Sequence, residues 1–90
     1  MLEDILEDIT EMAEQNKLES HLILYNDNIN TFDFVIILLM DICGHSEYQA
    51  EQCAIIAHYK GKCLIKSGLK QALIPIQHEL ENRNLTVEIQ

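Results

Sequence analysis

Four polar side chains carry most of the chemistry this sequence can offer: Asn26, Asp27 and Asn28 in one short run, and His58 far downstream. The side-chain oxygens of Asn26 and Asn28 can accept hydrogen bonds, and a neutral His58 presents one ring nitrogen as an acceptor. A ligand ammonium needs about three such acceptors, and a nearby carboxylate, here Asp27, strengthens their hold by adding charge. These residue types therefore suit a site for a free amine. The alternative is structural: Asn26 to Asn28 satisfy their own turn, and His58 caps the end of a helix.

Other chemistry has less support. There is no GxGxxG, Gly-rich phosphate loop, HExxH or nucleophile elbow. Cys43, Cys53 and Cys63 form no CxxC and are odd in number, and Ile42, Ala54 and Leu64 beside them point to buried free thiols. A zinc site from Cys43 and His45 would need further ligands that no spacing supplies. A thiol nucleophile beside His58 lacks a marked orienting partner. The expectation is a binding protein with no catalytic residue, no metal and no cofactor.

Ninety residues suit one domain, and a hydrophobic fraction of 48% can supply its core. The formal charge of -9 is uneven: the first twenty residues hold seven acids and one Lys, and the rest hold eight acids and five bases. Such a surface repels a phosphate backbone, so no nucleic-acid partner is expected. The run Val35 to Met40 is too short to span a bilayer, and the acidic start lacks the basic region of a secretory signal. The expectation is a cytoplasmic monomer with no membrane partner.

The elements that must position these side chains follow from periodicity. Residues 1–19 are expected to form an acidic extension, either mobile or an amphipathic helix on the spacing of Leu2, Ile5, Leu6, Ile9 and Met12, and residues 20–90 the core domain. A first strand is expected over 21–25. Thr31 then caps a helix so apolar that little of it should face water, and Gly44 stops it. Ser46 with Gln49 starts a second helix that ends at Gly61. Residues 62–66 read as a strand, Ser67-Gly68 as a turn, and residues 69–72 as a separate turn before a helix that begins only shortly ahead of Pro75. Residues 85–89 alternate as a last strand. The order β-α-α-β-α-β predicts an α/β domain, a small three-stranded antiparallel sheet covered by three helices.

Leu24-Tyr25-Asn26-Asp27-Asn28, Thr31-Phe32-Asp33-Phe34-Val35, Ala50-Glu51-Gln52 and Ala57-His58-Tyr59-Lys60-Gly61-Lys62, in that order and spacing, resemble the ClpS family of N-degron adaptors. The likeness covers roughly residues 20 to 90, with a shorter region after Ser67 that places it nearer a divergent subgroup. It implies a small α/β adaptor that binds the free amino terminus of proteins beginning with Phe, Tyr, Trp or Leu. Such an adaptor hands them to a Clp AAA+ unfoldase and its protease, docking on the unfoldase N-terminal domain. Carried onto this chain, the amine-binding residues are Asn26, Asn28 and His58. Asn28 stands where the family usually has Asp, so Asp27 or Asp33 must supply the field. The family's hydrophobic pocket falls at Phe32, Ala54 and Ala57, with Ile29 or Leu85 completing the lining, and small Ala54 suggests a preference for aromatic over Leu termini. The extension is expected to serve delivery to the unfoldase. Two rivals remain: a protein that binds the unfoldase but no degron, and a ribosomal stalk-like domain.

Overall fold

The computed structural model describes residues 19–90. The acidic extension, except for its last residue, lies outside them. Strand β1 (Glu19–Tyr25) leads through a loop into helices α1 (Phe32–Cys43) and α2 (Glu47–Lys60). Strand β2 (Lys62–Leu69), helix α3 (Lys70–Asn82) and strand β3 (Thr86–Ile89) complete the expected order. The sheet is antiparallel with β1 in the centre, in the order β2-β1-β3.

Local chemistry explains the helix ends. Thr31 Oγ1 accepts from the Phe34 N–H at 3.2 Å, and Ser46 Oγ accepts from the Gln49 N–H at 3.1 Å, so each cap satisfies a donor that a helix start leaves unpaired. Gly44 (φ 73°) and Gly61 (φ 93°) end α1 and α2 in the left-handed region, where a side chain would be strained.

Three expectations are corrected. Ser67-Gly68 is not a turn: β2 continues to Leu69, with Ser67 opposite His21 and Gly68 opposite Ser20. The His21 Nδ1 and Ser67 Oγ atoms lie 2.8 Å apart, a cross-strand contact that favours the extension. Helix α3 starts at Lys70, so Pro75 lies inside it. Pro75 and Gln71 are both exposed, so the missing hydrogen bond falls on the outer side of the helix, while buried Leu73 and Leu80 hold it to the core. Helix α1 buries only Leu38, Leu39 and Cys43; Phe32, Phe34, Ile37 and Met40 stay substantially exposed. Its apolar breadth exceeds what one small core can cover.

The core joins Leu22 and Leu24 of β1 to Leu39, Leu73 and Leu80 from the helices. The β1–β2 register shifts between Leu22 and Ile23, leaving Ile65 unpaired in the ladder, and the buried His45 Nε2 lies 2.6 Å from the Ile65 carbonyl. A bulge interrupts ladder bonding, and a donating His45 ring restores a partner to that carbonyl.

All three cysteines are free and buried. Burial pushes the Cys43 thiol up to about 11, against a smaller opposing effect of Lys66. Burial, aided by the hydrogen bond and charge of Cys63, pushes Cys53 up to about 12. Since thiolate is the reactive form, alkylation of Cys43 and Cys53 at pH 8, followed by mass spectrometry, should run roughly a hundredfold or more slower in folded than in denatured protein, with Cys53 the slower of the two.

Candidate functional site

The loop between β1 and α1 is held by one carboxylate. Asp27 Oδ1 accepts from the Ile29 N–H at 2.9 Å and the Asn30 N–H at 2.8 Å, and Oδ2 accepts from Asn30 Nδ2 at 2.9 Å. Asn30 Nδ2 also donates to the Asn84 carbonyl at 2.9 Å, tying the loop to the turn before β3. Burial is the largest single influence on Asp27 and raises its carboxyl, but the hydrogen bonds from Asn30 and Ile29 outweigh it and hold the group below its ordinary value. Asp27 is therefore an ionised turn-former at neutral pH.

A backbone bond fixes the loop against α2: the Asn26 N–H donates to the Gly61 carbonyl at 2.9 Å. The last turn of α2 carries His58. Its ring lies 5.1 Å from the Phe32 ring, tilted by 57°, and 5.0 Å from the Tyr59 ring in an edge arrangement. Tilted and edge arrangements at such spacings are favourable between aromatic rings. Among the described residues, no side-chain hydrogen bond engages Asn26, Asn28 or His58.

Between the loop and the helices lies a pocket of about 50 Å³. Asn26, Asp27, Asn30 and His58 give it a polar side; Leu24, Val35, Ala54 and Ala57 give it an apolar wall, with Phe32 and Tyr25 completing it. The structure thus brings together Asn26, Asp27, His58, Phe32, Ala54 and Ala57. Asn28 is exposed and outside the lining, Ile29 is 82% exposed and likewise outside it, and Leu85 is buried in the core cluster. Tyr25 and Val35 enter the sequence reading only within the motifs that carry the family resemblance, and Asn30 is not assigned to the site there. Asn30 stands two residues beyond the polar run Asn26 to Asn28, and Tyr25 is steadied by donating to Glu88 Oε2 at 3.1 Å and accepting from Gln90 Nε2 at 2.7 Å. Neither of those partners lies near it in the chain.

No group of three His, Cys, Asp or Glu among the described residues is arranged to hold a metal ion. Among the same residues, no helix is long and apolar enough to cross a membrane.

Comparison with known proteins agrees with this architecture. No curated protein matches the chain. Among solved structures, Agrobacterium tumefaciens ClpS2 bound to L-phenylalaninamide is similar in fold, with a TM-score of 0.64 at 16% identity, over 80% of this chain and 96% of that one. The family model of the ATP-dependent Clp protease adaptor protein ClpS matches residues 15–87, most of the sequence and all of the pocket. The chain belongs to the ClpS family, whose members are adaptors and not enzymes.

Proposed function

We propose that this adaptor binds the free amino terminus of proteins beginning with a bulky apolar residue, and delivers them to a Clp AAA+ unfoldase through its N-terminal domain. The carrying observation is that one pocket joins the polar ends of Asn26, Asp27 and His58 to an apolar wall of Ala54, Ala57 and Val35. Asn26 and a neutral His58 accept hydrogen bonds from the ammonium, and Asp27 supplies the opposite charge. Asn28 lies outside the lining, so the amide that replaces the family's usual carboxylate removes no charge from the wall. The ligand of the similar ClpS2, L-phenylalaninamide, has the free amine and aromatic side chain this reading calls for.

The pocket of about 50 Å³ is smaller than the roughly 150 Å³ cavity that accepts benzene. A Phe side chain therefore enters with an outward swing of the Phe32 ring, which is 42% exposed and has room to move. Once open, the small side chains of Ala54 and Ala57 favour a flat ring over Leu. Competition in which a Leu-starting peptide displaces a Phe-starting one more strongly than the reverse contradicts this preference.

Fluorescence anisotropy tests the main reading with a labelled Phe-starting peptide beside its N-acetylated and Met-starting forms. Binding should require the free amine, and His58→Ala should weaken it about tenfold or more, the effect of losing one hydrogen bond to a charged group. No binding up to about millimolar, equivalent to roughly 4 kcal/mol, by folded protein would turn the function toward unfoldase binding alone.

A further inference from the structure

A second concavity lies between α1 and α2, with an open volume of about 970 Å³. Ile36, Ile37 and Met40 of α1 and Ile55 of α2 make its floor, and Phe32 and Tyr59 also line it. Ile37 is 53% exposed and Tyr59 78%, so the floor and one end present apolar surface that the fold does not bury. Among the described residues, those that give the lining its charge are Asp33, Glu47 and Glu51, with no Lys, Arg or His beside them. The amine pocket needs none of the floor residues or these carboxylates.

We propose that this groove docks a basic amphipathic helix of a partner protein, its apolar face on the floor and its Lys or Arg side chains against Asp33, Glu47 and Glu51. An apolar concavity lined by residues of two helices suits a third helix carrying apolar residues at i, i+3, i+4 and i+7. Met40 adapts the floor to different apolar side chains. Charge selects among occupants. A second copy brings a formal charge of -9 and the same acidic groove. Residues 1–18 of this chain have apolar residues at helical spacing but six acids to one Lys, so they too are repelled by the rim. A basic helix alone satisfies both the floor and the rim.

The test uses the full chain, labelled for NMR, and an acetylated and amidated Leu/Lys peptide of about 18 residues, long enough to form a helix. Acetylation removes the free amine, so the result is independent of N-terminal recognition. A Leu/Glu peptide of the same pattern is the counterpart. The Leu/Lys peptide should shift the signals of Ile36, Ile37, Met40 and Ile55, and the Leu/Glu peptide should not. The double variant Glu47→Lys, Glu51→Lys should weaken the first peptide about tenfold and admit the second, with the fold checked by the spectrum. Met40→Asp should weaken the Leu/Lys peptide by a similar factor. Shifts spread over the acidic surface, or unchanged affinity in the charge-reversed and Met40 variants, overturn the proposal. It is equally overturned if groove signals move on dilution, marking a self-interface, or on removal of residues 1–18, marking that segment as the occupant.

Discussion

Asp27→Ala is expected to weaken binding of a Phe-starting peptide about 10- to 100-fold, the range for losing a hydrogen-bonded charge, while the domain stays folded. Two effects coincide. The substitution removes the only carboxylate that the described residues give the pocket lining, and it releases the backbone of Ile29 and Asn30 together with the Asn30 side chain. The core contains no part of this loop, so the unfolding midpoint should move much less than the affinity. Anisotropy and thermal melts on the same preparation separate the two.

The same carboxylate gives the loop an acid limit. Its folded value lies below the roughly 3.9 of an unfolded chain, so ionised Asp27 contributes stability fully above that value. The contribution is lost as pH falls through the lower, folded value. The side-chain amide signals of Asn30 should therefore hold steady at neutral pH and move only in strong acid. Movement near pH 6 would mean that another group controls the loop.

Leu39→Ala should have the largest effect on stability, a loss of about 2–5 kcal/mol from a domain whose total lies in the range of about 5–15. Leu39 is fully buried, and its carbonyl accepts the N–H groups of Gly44 and His45 at the end of α1. The truncation leaves a cavity at the meeting of helices and sheet without disturbing those backbone bonds. Denaturant unfolding should show a lower midpoint with an unchanged slope. A loss below about 1 kcal/mol would mean that the neighbouring Leu side chains close the gap.

Local signals read well from the sequence because their physics is local. Thr31, Ser46, Gly44 and Gly61 mark the ends of α1 and α2 through side-chain caps and left-handed backbone, and these need no knowledge of the rest of the chain. Long-range pairing overrode the same reasoning at Ser67-Gly68, where two residues with turn propensity are held extended opposite His21 and Ser20. Pro75 misleads for a similar reason: the propensity penalty is real, yet Leu73 and Leu80 anchor the helix on both sides of it. The bulge at Ile65 and the use of His45 to satisfy its carbonyl leave no pattern in a single sequence.

In the site, the polar run was legible as a unit, but its division of labour was not. Asp27 and Asn30 turn the chain, leaving Asn28 and Ile29 at the outside of the bend, whereas Asn26 and His58 stand without side-chain partners. Which side of a turn faces inward depends on hydrogen bonds between its own residues and on Asn84, and composition fixes neither. Leu85 follows the turn into β3 and packs with the core, because the strand after it is anchored by Val87 against Leu24.

The bond from the Asn26 N–H to the Gly61 carbonyl joins the two halves of the pocket one residue beyond the pairing of Tyr25 with Lys62. Asn26 leaves the central strand and Gly61 closes the helix that carries His58, so fraying at this end of the β1–β2 pairing separates the loop from the helix. The Asn26 amide proton thus becomes a built-in clock for pocket opening. Its exchange with deuterated water measures how often the pocket comes apart, and a ligand bridging the two halves should slow it in proportion to occupancy.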